Sequence, residues 1–292
     1  MTLASGASAA AVGAAARGPL AILCGGGDFP VAVARAAAAQ GRDPFLVGVV
    51  GAADARIEAF AHLWVHVGEV GRLFAALKAR GVTQIAIVGA MTRPEFADLR
   101  LDWGALRRLA GLAALFRGGD NQLLVGISKF FEAEGVAVVG VHEVAPGLVA
   151  APGLLGARRP SAQAASDARR GGALLDALSP FDAGQAVVVA NGRVLAIEAA
   201  EGTDAMLARV AELRARRRLR LRGRVGVLVK APKRGQDLRL DMPAVGPGTI
   251  AAARAAELEG VALAAGRVLI ADRDVFGRAA DAAGLFVLGL EA

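Results

Sequence analysis

The sequence predicts an α/β protein: an N-terminal Rossmann-like parallel-sheet domain followed by a second, mixed α/β domain. Three observations carry that expectation. Between Leu20 and about Val144, brief β-branched apolar runs alternate with amphipathic segments, the rhythm of strand–helix–strand units. A Pro/Gly-rich passage, APGLVAAPGLLGARRPS at 145–161, then interrupts that rhythm. The second half opens on two apolar runs around Asn191-Gly192, and Asn-Gly between strands signals a hairpin because both turn residues must reach positive φ. A hairpin makes the second sheet mixed rather than purely parallel.

Taken in order, LAILC, PFLVGVV, LWVHV, QIAIVGA and VAVVGVH read as buried parallel strands, each stopped by glycine or a polar turn. Helices are expected between them at 30–40, 69–80, 104–117 and 121–134. This N-terminal domain covers 20–150, and 151–160 is the expected linker. The C-terminal catalytic domain, 161–292, begins with a helix over 161–178 for which Ser161 is a suitable cap. AVVVANGRVLAIEA supplies the hairpin and TDAMLARVAELRARRR a helix. VGVLVKA is a strand, a further helix starts near Thr249, and VALAAGRVLI and LFVLGL complete the sheet. Residues 1–19, mostly Ala, Gly and Ser without a basic start, read as a disordered leader rather than a signal peptide.

At 292 residues and 55% hydrophobic, the chain has room for two ordinary domains and lies outside the range of disorder. Charges or glycines break every apolar run before the ~20 residues of a spanning helix, so the chain reads as soluble. Its one cysteine, Cys24, excludes an internal disulfide and fits the cytoplasm. Cys24 reads as a small apolar residue ending a strand in preference to a nucleophile.

The net charge of +7 is densest in LRARRRLRLRGR, which holds Arg214, Arg216, Arg217, Arg218, Arg220, Arg222 and Arg224. Such a run suits anionic headgroups or a phosphorylated substrate, or is a solvated helix end with cations near the helix C-terminus. With 4% aromatics and no Tyr, the chain lacks the stacking platforms of single-strand nucleic-acid binders, and no nucleic-acid partner is expected.

Chemistry is first suggested by ILCGGGDFP, where a strand runs through Gly25, Gly26 and Gly27 to Asp28 and a helix. Backbone N–H groups at such a turn can face a phosphate, or the glycines make only a tight turn. The dinucleotide fingerprint is absent: G-G-G-D-F-P replaces G-x-G-x-x-G, and the second strand ends in Gly51, not an acid. Polar residues concentrate in the second half. EAAEGTDAML holds Glu198, Glu201 and Asp204, with Gly202 or Thr203 placed to cap a helix. LVKAPKRGQDLRLDMPAVGPGTI places Lys230, Lys233, Gln236, Asp237, Arg239 and Asp241 after a strand, before a glycine-rich turn into a helix at Thr249. Lysines and carboxylates in one loop suit a phosphate ester with a divalent cation, since carboxylates hold Mg2+ through few oxygens while lysines offset phosphoryl charge. Surface ion pairs are the plainer alternative. His62, His66 and His142 read as structural, and Asp120 with Asn121 as a helix cap after Gly118-Gly119.

In order and with ordinary spacing, LAILCGGGDFP, RGGDNQLL…FFEAEG, FDAGQAVVVANGRVLAIEAAEGTDAML and GVLVKAPKRGQDLRLDMPAVGPGTI resemble the LpxI-type UDP-2,3-diacylglucosamine pyrophosphatases. That family serves lipid A biosynthesis in Gram-negative bacteria, and the resemblance runs from about residue 20 to the C-terminus. It implies Mg2+-dependent hydrolysis of UDP-2,3-diacylglucosamine to UMP and 2,3-diacylglucosamine 1-phosphate, with water attacking the β-phosphorus. It also implies two domains around the substrate, a homodimer, and a cytoplasmic enzyme that reaches the inner leaflet for its lipid-linked UDP-sugar. Asp237 matches the essential carboxylate of the K-x-x-Q-D-x-R pattern and would hold Mg2+ or position water. Lys230, Lys233 and Gln236 would contact the pyrophosphate. Glu201, Gly202, Thr203 and Asp204 match EGTDAM as phosphate, sugar or metal contacts, and Arg239 and Thr249 join them as substrate contacts. Gly25, Gly26, Gly27 and Asp28 would belong to the N-terminal part of the cleft. The competing reading is a non-enzymatic nucleotide- or lipid-binding protein docked on the leaflet through the arginines at 214–224.

Overall fold

The computed structural model describes residues 18–90, 100, 102–107 and 120–291. The chain divides into two compact units, one ending at Ala145 and the other starting at Pro146.

The first unit is a five-stranded sheet in the order β3-β2-β1-β4-β5: β1 (Leu20–Cys24), β2 (Pro44–Val49), β3 (His62–Val65), β4 (Gln84–Val88) and β5 (Ala137–Val138). Every pairing is parallel. All positions of β1 and β2 are buried, which is why they read as unbroken apolar runs rather than alternating ones. The helices are α1 (Phe29–Ala39), α2 (Val70–Ala79), α3 (Trp103–Arg107), α4 (Asp120–Ala133) and α5 (Val141–Val144). The expected helix at 104–117 is seen only through Arg107; its remainder, with Gly118 and Gly119, lies outside the described residues. VAVVGVH departs from expectation. Only Ala137–Val138 is strand, because the Glu143 carboxylate accepts the Gly140 N–H at 2.8 Å and starts α5 instead. Cys24 is buried at the end of β1; burial pushes its thiol up to about 12, so it carries no thiolate.

The second unit has a six-stranded sheet, order β6-β13-β11-β9-β7-β8, and a separate two-stranded one. Its strands are β6 (Gly153–Leu154), β7 (Ala186–Ala190), β8 (Arg193–Ile197), β9 (Val227–Lys230), β10 (Ala244–Val245), β11 (Gly260–Ala264), β12 (Leu269–Ile270) and β13 (Phe286–Leu290). β9, β11 and β13 are mutually parallel, while β6, β7 and β8 run antiparallel to their neighbours, so the sheet is mixed. The passage expected as a linker, 151–160, contributes β6 to this sheet. Gly289 admits it at close range: a Cβ there would lie 1.9 Å from the Ala151 carbonyl oxygen.

Four helices cover this sheet: α6 (Ala162–Leu178), α7 (Gly202–Ala215), α8 (Pro247–Ala255) and α9 (Arg273–Ala283). Side-chain alternation along the strands sorts two cores. Val187, Val189, Val227 and Val229 pack with Ala164, Ala168 and Leu175 of α6. Val188, Leu228 and Val261 face the opposite way, packing with Met206 of α7, Ile250 of α8 and Phe276 of α9. The Ser161 hydroxyl caps α6 by accepting the Ala164 N–H at 3.1 Å. The expected hairpin turn is present, with Asn191 at φ 52° and Gly192 at φ 74°. Its two N–H groups, at 2.8 and 2.7 Å, enter the carboxylate of Asp167, a buried residue of α6.

The arginine run is not a uniform solvated face. Arg214 is buried and donates to the Glu257 carboxylate at 2.6 Å and to the Gly223 carbonyl. Arg224 donates to the carbonyls of Ala283 and Gly284 at 2.7 and 3.0 Å, whereas Arg217, Arg218, Arg220 and Arg222 are exposed. Among the described residues, no helix is long and apolar enough to cross a membrane.

Candidate active site

The second unit gathers most of the predicted residues at the end of β9. β7 runs antiparallel to β9 with Ala186 opposite Lys230, so Gln185, just before β7, comes level with the end of β9. Glu198, just after β8, is drawn to the same place: its N–H donates to the Ala186 carbonyl at 2.9 Å and its carbonyl accepts the Gly184 N–H at 3.0 Å. Gly184 must lack a side chain for this, since a Cβ would lie 2.4 Å from the Glu198 carbonyl oxygen.

Lys230 ends β9 with 8% of its surface exposed. Its Nζ donates to Thr203 Oγ1 at 2.7 Å, and Thr203 donates onward to Glu198 Oε1 at 2.8 Å. The other Glu198 oxygen accepts the Gln185 N–H at 2.8 Å. Burial pushes the Lys230 ammonium below its ordinary range, against the opposing pull of Glu198, Asp204 and Asp241. The sequence offers Thr203 as a candidate helix cap. It opens α7 as expected, but its hydroxyl joins Lys230 to Glu198, and the helix has no side-chain cap.

The Gln185 side chain links this group to the loop after β9. It donates to Gln236 Oε1 at 3.0 Å and to Asp241 Oδ2 at 3.3 Å. Gln236 Oε1 also accepts the Lys233 N–H at 2.9 Å, and its amide donates to Asp241. The Lys233 ammonium turns to the carboxylate and carbonyl of Asp182. Asp237 faces Arg239: Nη2 donates to Oδ2 at 2.7 Å and the Arg239 N–H to Oδ1 at 3.0 Å.

The other predicted residues are placed differently. Glu201 pairs with Arg209 at 2.9 Å and accepts the Ala199 N–H, so it serves the start of α7 rather than Lys230. Gly202 has φ +79° and Asp204 is exposed, near enough to Lys230 to act on its charge. Thr249 is buried, with its Oγ1 accepting the Gly246 N–H at 3.3 Å at the start of α8.

Gly25, Gly26, Gly27 and Asp28 belong to the first unit. There the Gly25 and Gly26 N–H groups donate to the carbonyls of Val88 and Ala90, and Ala90 returns a bond to Gly26. The two groups suited to a phosphate are therefore engaged within the fold. Gly89 permits the contact, with φ +100° and a hypothetical Cβ 2.7 Å from the Gly26 carbonyl oxygen. Gly27 turns the chain at φ +91°, and Asp28 pairs with Arg56 at 2.6 Å.

Among the described residues, no three His, Cys, Asp or Glu side chains cluster as a metal site. The donor set fails to make an all-protein cage. Asp237, a part-exposed carboxylate paired with Arg239, is the kind of single oxygen ligand that a Mg2+ ion held mainly by phosphate and water would need. What the site offers chemically is a buried, oriented ammonium at Lys230, with Lys233 paired to Asp182 and Arg239 paired to Asp237 in the loop that follows; a fixed cation of this kind is suited to neutralise an oxyanion. The sequence assigns no role to Gln185 or Asp182; it marks Glu198 only as one acid of EAAEGTDAML and Asp241 only as one carboxylate of the loop suited to a phosphate ester and a divalent cation. FDAGQ precedes a buried strand, and polar residues at the mouth of such a strand are the signal that could have found them.

Comparison with known proteins covers nearly the whole chain. Residues 19–148 match the model of the LpxI N-terminal domain and 151–288 that of the LpxI C-terminal domain. The UDP-2,3-diacylglucosamine pyrophosphatase LpxI of Caulobacter vibrioides is 39% identical over 272 residues, 93% of this chain and 97% of its own. A UDP-glucose-4-epimerase structure from Stenotrophomonas maltophila, with bound NAD and formylated UDP-arabinopyranose, matches 40% of this chain and 34% of its own at 16% identity. Its TM-score of 0.25 is too low to bear on the fold.

Proposed function

The chain belongs to the LpxI family, and on that premise we propose that it hydrolyses the pyrophosphate of UDP-2,3-diacylglucosamine in lipid A biosynthesis. The products are UMP and 2,3-diacylglucosamine 1-phosphate. The observation that carries this reading is the Lys230–Thr203–Glu198 chain at the end of β9, joined through Gln185 to the loop that holds Lys233, Gln236 and Asp237.

Thr203 has one hydroxyl proton and gives it to Glu198, so its lone pairs face Lys230 and fix the ammonium in place. A preset cation in a dry site stabilises charge on the attacked phosphoryl group without reorganising at the moment of reaction. Lys233 supplies a second positive charge, and Gln236 offers its amide to a phosphate oxygen. Asp237 would hold Mg2+, which when bound would neutralise pyrophosphate charge. Water forms a bond to the β-phosphorus as the bond to the bridging oxygen breaks. UMP leaves with that oxygen, and the water's protons pass to solvent. We further propose a homodimer in the cytoplasm that reaches the inner leaflet, because the substrate's acyl chains reside there.

The test is to incubate the purified protein with UDP-2,3-diacylglucosamine in ¹⁸O-water, with Mg2+ and with chelator. UMP should form only with Mg2+, and the label should enter the sugar 1-phosphate. Label in UMP would overturn attack at the β-phosphorus, and binding without UMP release would favour the non-enzymatic alternative.

A further inference from the structure

The second unit carries a further cluster of charge at the opposite edge of its sheet, where the parallel strands begin. Lys230, Thr203 and Gln236 lie where β9 ends and α7 begins. Arg224 precedes β9, Gly284 precedes β13, Arg254 lies at the C-terminal end of α8, and Arg158 precedes α6. These residues, with Asp281, Ala282 and Ala283, line an open concavity of about 670 Å³.

Three guanidinium groups converge there. The Ala283 carbonyl accepts from both Arg224 and Arg254, which holds two like charges together. Arg158 and Arg224 each place Nη1 near one point: 3.6 and 3.0 Å from where a Cβ on Gly284 would sit. The glycine, at φ +63°, leaves that space open. Among the described residues Arg158 makes no hydrogen bond or ion pair. Asp281 is the carboxylate in the wall; it accepts the Ala157 N–H at 2.8 Å and forms no ion pair with any of the three. Like charges gathered in a concavity repel unless an anion joins them, and guanidinium forks match phosphate oxygens in pairs.

We infer that Arg158, Arg224 and Arg254 form a second oxyanion site, separate from the hydrolytic one, that binds a phosphate group. Arg224 and Arg254 are fixed by Ala283 before the anion arrives, and Arg158 closes on it. The phosphate is either that of a soluble phosphate compound or that of an anionic lipid headgroup.

Calorimetric titration of the full chain with inorganic phosphate tests this against three variants: Arg158→Gln, Arg158→Gln/Arg254→Gln and Lys230→Gln. Arg158→Gln removes no internal bond, so the fold is not at issue for it. Phosphate affinity should fall at least about tenfold in the double variant and less in Arg158→Gln, while Lys230→Gln retains it. Sedimentation with phosphatidylglycerol vesicles distinguishes the source: binding lost in the double variant assigns a lipid headgroup, and phosphate binding without vesicle binding assigns a soluble phosphate. Binding of neither, or phosphate binding lost in Lys230→Gln and untouched by the arginine changes, overturns the inference.

Discussion

Lys230 donates to Thr203 Oγ1 at 2.7 Å while Thr203 donates to Glu198 Oε1 at 2.8 Å, so one hydroxyl couples a buried cation to a buried carboxylate. Burial lowers the ammonium's hold on its proton and the carboxylate partly restores it. Lys230 therefore begins to lose its charge at a pH below that of an exposed lysine. Its charged form is the one that neutralises phosphate, so kcat/KM should fall as pH rises, with a basic limb below the ordinary 10.5. Lys230→Arg, which does not titrate in this range, should lower kcat/KM about tenfold or more and abolish that limb. A limb that stayed in place in the arginine variant would assign it to another group.

Glu198→Gln makes the complementary case. The change keeps the shape but removes the negative charge that supports the lysine's proton. The basic limb of kcat/KM should move to lower pH, and turnover at pH 8 should fall by about 10- to 100-fold, the range for a residue that orients a reacting group. A loss of activity with an unmoved limb would point to Glu198 shaping the loop instead. Stability runs in the opposite sense for Lys230. A lysine whose native pKa is lowered binds its proton better when unfolded, so its contribution to stability grows as pH rises from the native value toward 10.5.

Asp167 concerns folding rather than chemistry. Its carboxylate, 1% exposed, receives the N–H groups of Asn191 and Gly192 and a bond from Gln163 at 3.0 Å. Asp167→Ala leaves two turn N–H groups without their acceptor and opens a cavity beneath α6. Chemical denaturation should report a loss of about 2–4 kcal/mol. Asp167→Asn, which keeps one acceptor oxygen, should lose less.

That carboxylate also marks how far the sequence could be read. The strands were legible because buried parallel strands are apolar runs, and the hairpin because Asn-Gly is suited to positive φ at Asn191 and Gly192. Both are local properties. Asp167 lies more than 20 residues before the turn it holds, and nothing in SDARRGGALL announces that partner. The site divides in the same way. Lys230, Gln236 and Asp237 lie close together along the chain, in one polar loop after a strand. Gln185 and Glu198 join them only because β7 runs antiparallel beside β9 and β8 returns antiparallel beside β7. Thr203 was visible as a residue at a helix start, but the choice between capping that helix and holding Lys230 is made by the strand packed beside it. The glycines at 25–27 show the converse: the sequence offers their N–H groups to a phosphate, and two of them are taken by Val88 at the end of β4 and by Ala90 just beyond it.

Asp237 separates a metal role from a structural one. Its side chain is about one-third exposed, and it pairs with an Arg239 that is more exposed still. Exposed pairs of this kind contribute about 0–1 kcal/mol, so Asp237→Ala should leave thermal stability in the absence of Mg2+ nearly unchanged. If the carboxylate holds Mg2+ against the pyrophosphate, the same change should reduce kcat at least about 100-fold and raise the Mg2+ concentration needed for half-maximal turnover. Arg239→Gln removes the competing cation while leaving the carboxylate in place. It should lower the Mg2+ requirement even if substrate binds less tightly. A purely structural Asp237 would give the reverse pattern: a lower melting temperature for Asp237→Ala, an unchanged Mg2+ titration, and the same two effects in Arg239→Gln.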